Sequence, residues 1–144
     1  DKPIDVAIGH SMGAGALLYV ASQAKKIEKL VAISAPSDFT NILDDFCRKL
    51  AVGKKAKQLF FSKVEQEVGI KHAELNISAI IHKIETPILF IHDENDKLLS
   101  LENSVILNDE ARNSQLIVTQ NLGHTRLLNS TSVVQSVMRF IGVQ

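Results

Sequence analysis

The chain has 144 residues, enough for one domain with a buried core, and its 45% hydrophobic and 22% charged residues are typical of a globular protein. Lys and Arg together number 16, as do Asp and Glu, so no net field favours nucleic acid or an acidic membrane as a partner. The single cysteine, Cys47, excludes an intramolecular disulfide and a zinc site built from cysteine pairs.

Membrane and export signals are absent from the printed sequence. No apolar run approaches the roughly 20 residues needed to span a bilayer, and residues 1–5 lack the basic and apolar regions of a signal peptide. We therefore expect a cytoplasmic protein. Because the chain does not begin with Met, we also expect that it is a fragment or a processed form.

Four short apolar runs predict β-strands, at residues 6–8, 30–33, 88–91 and 116–118. They are rich in β-branched residues and do not alternate with polar ones, which is typical of strands buried on both faces of a parallel sheet.

Helical patterns lie between and after these runs. Residues 12–24 are rich in Ala and Gly, and residues 101–111 are preceded by Ser100 as a candidate N-cap. Near the end, Val133, Val137 and Ile141 form an apolar stripe with helical spacing. The alternation predicts the α/β fold class, with a mostly parallel sheet flanked by helices, as a single domain over residues 1–144.

Residues 37–85 break this rhythm, because no convincing strand occurs in them. Two apolar helical faces are visible instead: Ile42, Phe46 and Leu50 in the first, and Phe60, Val64 and Val68 in the second. We expect a small helical cap insertion over the carboxyl ends of the strands, where ligands bind in such folds.

The segment Gly9-His10-Ser11-Met12-Gly13 follows the pattern G-x-S-x-G between the first strand and the first helix. A sharp strand-to-helix turn there would expose the Ser11 hydroxyl, and glycines on both sides would leave room where a Cβ would strike a neighbouring element. The Met12 N–H would lie at a helix N-terminus, where it can donate to an oxyanion. The alternative is a plain turn with an incidental serine.

Two further residues follow strand ends in the order that a serine hydrolase needs. A serine hydroxyl requires a base, and the base requires an orienting carboxylate. Asp96 follows the third apolar run, and His124 follows the fourth. We therefore expect Ser11, Asp96 and His124 to meet at one edge of the sheet.

The chain resembles the C-terminal part of an α/β-hydrolase of the small serine esterase or acyl-hydrolase type. The resembling segments are GHSMGAGA, ETPILFIHDENDKLLS and NLGHTRLL. The resemblance implies that Ser11 is the nucleophile, Asp96 the acid and His124 the general base, with a small acyl substrate and no metal or organic cofactor. The family commonly has Pro where this chain has Ser100, and often has Gly where it has Asp93.

Members of this family have several strands before the nucleophile turn, and one of them carries the loop that donates the second oxyanion N–H. We expect this chain to lack both, so that its first strand lies at a sheet edge. An exposed apolar edge invites pairing, which predicts a homodimer through that edge or a missing half supplied by another segment. Loss of one oxyanion donor would slow the reaction about 100- to 1,000-fold.

Other candidate residues have less specific interpretations. Asp93 is an alternative acid, but we expect it to form a turn by accepting local backbone N–H groups. His10 is expected to pack beside the turn, and Cys47 to be buried and inert. Surface positions or ordinary core positions are expected for His72, His82 and His92.

The predicted insertion carries two clusters whose roles stay open. One cluster is basic and could be either a solvent-exposed helical face or a site that recognises an anionic acyl carrier. Its residues are Arg48, Lys49, Lys54, Lys55 and Lys57. Packing of the insertion or an acyl pocket would each account for Phe39, Phe46, Phe60 and Phe61.

The sequence thus predicts a serine hydrolase that cleaves an ester, thioester or amide through an acyl-enzyme. One alternative is an inactive or truncated hydrolase fold used as an interaction module. Another is an acyltransferase or haloperoxidase-like use of the same three residues, because the acceptor is chosen by the pocket and not by the triad.

Overall fold

The computed structural model describes residues 4–23 and 26–143. Its strands are β1 (Ile4–His10), β2 (Ile27–Ile33), β3 (Ile88–Asp93) and β4 (Ser114–Thr119). They form a parallel sheet in the order β1-β2-β3-β4. Each predicted strand lies inside one of these four, and the carboxyl ends of all four share one edge of the sheet, as the α/β prediction requires.

Burial differs between the inner and outer strands of this sheet. Every residue of β3 and most of β2 are buried. The prediction of burial on both faces is wrong for β1 and β4, where Ile8 and Val118 are 55% and 45% exposed. In the part of the chain that the structure describes, these strands form the two edges, so fewer elements cover them. Association of two chains through β1 stays a prediction.

Helices occupy the segments between and after the strands. They are α1 (Met12–Ser22), α2 (Phe39–Lys49), α3 (Lys54–Val68), α4 (Ile77–Ile80), α5 (Glu102–Glu110), α6 (Gly123–Arg126) and α7 (Thr131–Ile141), with short 3₁₀ helices at His72–Leu75, Ile81–Lys83 and Leu127–Asn129. The Ser100 hydroxyl accepts from Glu102 N at the start of α5, close to the predicted capping role. Within residues 4–23 and 26–143, every helix is too short or too polar to traverse a bilayer.

The two faces of the sheet carry separate apolar cores. Strand residues alternate between the faces, so Leu30 and Phe90 pack with the α1 and α5 side, and Val31 and Leu89 pack with α7. On the α7 side, the predicted stripe is confirmed, because its first two valines are buried and its isoleucine packs against them. Cores on both faces hold the inner strands rigidly, and their carboxyl ends with them.

The range 37–85 is helical apart from its connections and one isolated bridge between Asp38 and Asn76. Helix α2 buries Leu43 and Cys47, whereas α3 has no buried residue. The residues that follow α3 behave differently, because α4 and the 3₁₀ helix after it place buried isoleucines in the core on the α1 side. The division of the chain into a domain and a cap insertion stays a prediction.

Aromatic contacts join the helices of this range. Phe46 of α2 stacks on Phe60 of α3 with 5.6 Å between ring centroids, and Phe61 meets the His72 ring edge-on at 4.7 Å. These contacts support the packing role for the phenylalanines. The basic cluster is partly neutralised, since Lys57 pairs with Asp44 at 2.7 Å and Arg48 pairs with Asp45 on the same helix.

Candidate active site

Ser11 lies in a strained turn between β1 and α1. Its φ of 55° and ψ of −126° place it in a backbone region that costs a non-glycine residue about 1–3 kcal/mol. The turn is held in place because Ser11 N donates to Ile33 O of β2 at 2.8 Å, and Ser11 O accepts from the N–H groups of Ala14 and Gly15. The hydroxyl therefore emerges at the carboxyl edge of the sheet, as predicted for a nucleophile elbow.

The two glycines beside Ser11 differ in their surroundings. A Cβ on Gly9 would lie 2.7 Å from Ala14 Cα and 2.8 Å from the Gly13 carbonyl oxygen, so the close approach of β1 and α1 requires glycine there. The corresponding prediction for Gly13 is wrong. In the described residues nothing lies within 4 Å of a Cβ at that position, because it faces outward from the first turn of α1.

Ser11, His124 and Asp96 meet at the carboxyl edge of the sheet. His124 Nε2 lies 2.9 Å from Ser11 Oγ, and His124 Nδ1 lies 2.6 Å from Asp96 Oδ2. The Asp96 side chain is fully buried and that of His124 is 11% exposed. The three side chains form one continuous hydrogen-bonded line from the Ser11 hydroxyl to the buried carboxylate.

Asp96 belongs to the acid loop, residues 93–99, which follows β3. Its Oδ1 accepts from Leu98 N at 2.9 Å and Leu99 N at 3.0 Å, which leaves Oδ2 for His124. Burial alone would raise the pKa of Asp96. The hydrogen bonds from Leu99, His124 and Leu98 outweigh it and hold that pKa below its ordinary value, so the carboxylate is ionised at neutral pH.

His92 lies fully buried beneath the acid loop. Its Nε2 is 3.0 Å from Leu99 O, and its Nδ1 is 2.7 Å from Ser104 Oγ. A carbonyl can only accept, so Nε2 carries the proton and Ser104 donates to Nδ1. Burial lowers the pKa of His92, which keeps the ring neutral. A satisfied core histidine was one of its two predicted roles.

Asp93 is fully buried and does not contact the His124 ring through any of its hydrogen bonds. One donor, Asn95 N at 3.0 Å, is the local turn contact that the sequence predicts. The other three come from the base loop, residues 119–124, which follows β4: Thr119 Oγ1, Leu122 N and Gly123 N. Sequence reasoning missed this link, and its only signal was a charged residue where the family often has Gly.

His10 contacts His124 in two ways. Its Nε2 donates to the His124 backbone carbonyl at 2.8 Å, and the two ring centroids lie 4.8 Å apart. The predicted packing role is therefore accompanied by a hydrogen bond that spans from the elbow to the base loop. Motif reasoning missed this bond, since a histidine before the serine carries no signal about its partner.

A cleft of about 450 Å³ lies between α2 and residues 98–106. Apolar side chains of Ile42, Phe46 and Leu98 line it together with polar Asn41 and Asn103. The cleft borders the acid loop, but its lining does not include Ser11 or His124. Among the four phenylalanines considered as acyl-pocket residues, Phe46 alone lines it.

The two buried aspartates predict acid sensitivity. Burial raises the pKa of Asp93, but hydrogen bonds from Gly123, Leu122, Thr119 and Asn95 outweigh it and hold that pKa below its ordinary value, as for Asp96. A depressed folded-state pKa contributes stability that is present above the unfolded pKa, about 3.9, and lost as the pH falls through the folded value.

We therefore expect the urea midpoint to fall steeply below about pH 4. Asp93→Asn should flatten that decline, because it removes one of the two carboxylates, whereas Asp109→Asn on the exposed face of α5 should follow the wild-type curve. Urea titrations at a series of pH values test this. Parallel curves for wild type and Asp93→Asn would contradict the expectation.

Comparison with known proteins identifies the family. The family model described as TAP-like protein, an α/β-hydrolase family, matches residues 68–142, slightly more than half of the chain. That range holds Asp96 and His124, while Ser11 lies before it. A search of curated proteins finds no match.

Solved structures show the same fold. The esterase domain of a Rhodothermus marinus protein is 22% identical with a TM-score of 0.63, and the match covers 95% of this chain and 62% of that one. A meta-cleavage product hydrolase from Pseudomonas fluorescens is 16% identical with a TM-score of 0.66, covering 94% and 63%.

An α/β-hydrolase enzyme from a Medee basin deep-sea metagenome library is 17% identical with a TM-score of 0.67, covering 98% of this chain and 66% of that one. The chain thus spans under two thirds of the length of these structures. From the matched family model and the parallel sheet with its flanking helices, the chain belongs to the α/β-hydrolase family.

Proposed function

We propose that this chain carries the nucleophile, base and acid of a serine hydrolase that cleaves an ester, thioester or amide. One observation carries the proposal: the unbroken line from Ser11 Oγ through the His124 ring to Asp96, with contacts of 2.9 Å and 2.6 Å. Both distances are within hydrogen-bond range, and the order of groups is that of an activated serine.

The electrostatics of the line favour proton transfer from the serine. Ionised Asp96 accepts a hydrogen bond from His124 Nδ1–H, so the lone pair of Nε2 faces Ser11 Oγ. His124 then takes the hydroxyl proton while Oγ bonds to the substrate carbonyl carbon. The resulting imidazolium is stabilised by the buried carboxylate next to it.

Negative charge on the carbonyl oxygen would be met by the start of α1. Met12 is the first residue of that helix, and N–H groups of a first helical turn have no acceptor within the helix. The proton on His124 Nε2 passes to the leaving group as the carbonyl re-forms, which leaves an acyl group on Ser11. Water, deprotonated by His124, attacks the acyl-enzyme and releases a carboxylic acid and free serine.

The similar structures agree with this reaction class and leave the substrate open. They include an esterase domain and a meta-cleavage product hydrolase, which differ in what they act on. Acyl transfer to an acceptor other than water uses the same line of residues, and the geometry at Ser11 favours neither acceptor. We therefore propose a hydrolase of acyl compounds and assign no particular acyl group to it.

Hydrolysis of p-nitrophenyl acetate tests the proposal, with the acyl-enzyme trapped by acid quench and read by intact mass. We expect one acetyl group on the wild type, none on Ser11→Ala, and a loss of about 10⁴-fold or more in rate for that variant. Ser62→Ala, on the exposed face of α3, is the matched control and should behave as the wild type. An acetyl adduct that persists in Ser11→Ala would contradict the proposal.

A further inference from the structure

Asp93 is the most completely buried charge in the described part of the chain that the proposed reaction does not use. Its side chain has no exposed surface, and both of its oxygens accept two hydrogen bonds each. Oδ1 accepts from Asn95 N at 3.0 Å and Gly123 N at 2.9 Å, and Oδ2 accepts from Thr119 Oγ1 at 2.8 Å and Leu122 N at 3.0 Å. A local turn would need only the first of these four contacts.

The three remote donors lie in the chain segment that leads to His124, the proposed base. Leu122 and Gly123 directly precede His124, and Thr119 ends the strand that leads to it. The base loop turns sharply between these donors, with φ of 63° at Asn121 and 65° at Gly123. Arg126 donates to the Leu122 and Asn121 carbonyls, and Asn121 N donates to Asn95 Oδ1. The Asp93 carboxylate accepts from the two N–H groups directly before His124, so it is the contact nearest to the base.

We propose that Asp93 is a positioning residue for the proposed reaction, holding the base loop so that His124 stays in line between Asp96 and Ser11. This role rests on the proposed function, but the placement of the His124 ring can be tested separately. Asp93 is the last residue of β3 and Asp96 lies three residues after it, so the Asp93 carboxylate ties the base loop to the segment that supplies the acid.

A carboxylate suits this task better than its amide. All four partners are donors, and the two oxygens of an ionised carboxyl accept from all of them. An asparagine would turn an NH₂ group toward one pair of donors. The Thr119 hydroxyl can rotate to accept from that group, but a backbone N–H of Leu122 or Gly123 cannot. At least one backbone donor of the base loop is then left buried without a partner, which favours a shift of the loop.

Kinetics of phosphonylation by a fluorophosphonate probe, read by intact mass, test the proposal on wild type and Asp93→Asn. A displaced base lowers the rate of the covalent step, in which Ser11 Oγ bonds to phosphorus, but does not change the affinity for the probe. We expect the limiting rate to fall about 10- to 100-fold, while the half-saturating probe concentration stays within about threefold, since Asp93 does not face the probe. Thr119→Val, which removes one of the four contacts, should show a smaller fall in the same direction and covers the case in which Asp93→Asn does not fold.

Ring ¹⁵N shifts of histidine-labelled protein provide the readout that a structural role would not move. In the wild type, His124 should be the Nδ1–H tautomer that Asp96 selects. In Asp93→Asn it should be a mixture of tautomers, whereas His92 should keep its Nε2 proton on Leu99 O. Leu107→Ala, at a buried α5 position outside both loops, serves as the control for lost stability.

The outcomes separate the two proposals. A wild type without Ser11-dependent labelling would contradict the proposed function. The positioning role of Asp93 would then be tested by the His124 tautomer alone, compared between wild type and Asp93→Asn. Wild-type rate and tautomer in Asp93→Asn would overturn the positioning role. An equal change of labelling rate and His124 tautomer in Leu107→Ala would overturn it as well. Loss of stability alone would then explain the effect of Asp93→Asn.

Discussion

Replacing Asp96 by Asn is expected to lower kcat/KM for ester hydrolysis about 10⁴-fold while leaving the fold intact. The reason lies in how the acid is held. Asp96 Oδ1 accepts from two backbone N–H groups, those of Leu98 and Leu99. An asparagine must keep its amide oxygen there, because its NH₂ group cannot face two donors. The NH₂ group therefore faces His124 Nδ1.

That orientation selects the wrong tautomer of the base. With a donor opposite Nδ1, His124 is protonated on Nε2, and this nitrogen then donates to Ser11 Oγ where it should accept. The serine keeps its proton, and the geometry of the line changes little. Phosphonylation of Ser11 should slow in parallel with ester hydrolysis, since both reactions need the same proton transfer.

Steady-state kinetics of wild type, Asp96→Asn and Asp109→Asn check this result. Asp109 is exposed on α5, so its amide variant should hydrolyse esters at the wild-type rate. A loss of less than tenfold in Asp96→Asn would mean that another group orients His124. Asp93, the alternative acid of the sequence analysis, would then be the next carboxylate to test.

Gly9→Ala is expected to lower the free energy of unfolding by about 2–3 kcal/mol and to abolish labelling of Ser11. The added Cβ would lie 2.7 Å from Ala14 Cα and 2.8 Å from Ala14 N, both backbone atoms that cannot rotate away. Relief requires β1 and α1 to separate, and Ser11 sits at their junction. Stability and the position of the nucleophile are therefore lost together.

Gly13→Ala is the matched control on the other side of the serine. In the described residues nothing lies within 4 Å of the added Cβ, and alanine favours a helix over glycine by up to about 1 kcal/mol. Urea unfolding of the two variants should thus give opposite signs, with Gly13→Ala neutral or stabilised. Equal destabilisation by both substitutions would show that the approach of β1 to α1 is not what requires Gly9.

The fold could be predicted to the extent that it depends on local patterns. Each apolar run, such as residues 88–91, lies inside a strand, and the stripe of α7 faces the sheet. Burial of whole strands could not be predicted equally well, because it depends on strand order. The runs in β1 and β4 are as apolar as those in β2 and β3, yet they lie at the edges of the described sheet.

The candidate site divides in the same way. Ser11, Asp96 and His124 could be proposed because each follows an apolar run, and carboxyl ends of parallel strands converge. The hydrogen bonds that hold these residues in place could not be predicted, because they join distant parts of the chain. The bond from His10 to His124 spans 114 residues, and the bond from Gly123 to Asp93 spans 30. The glycine motif likewise implies two crowded positions, whereas the structure crowds Gly9 and leaves Gly13 free of neighbours among the described residues.

Fluorophosphonate labelling of the folded chain, read by intact mass on wild type and Ser11→Ala, tests the central claim most directly. The probe reacts with a serine whose proton can be removed, whatever its natural substrate. The geometry of Ser11, His124 and Asp96 predicts a single adduct on the wild type, on Ser11, and no adduct on the variant. A folded wild type that stays unlabelled, or an adduct that survives in Ser11→Ala, would contradict an activated Ser11 in this chain.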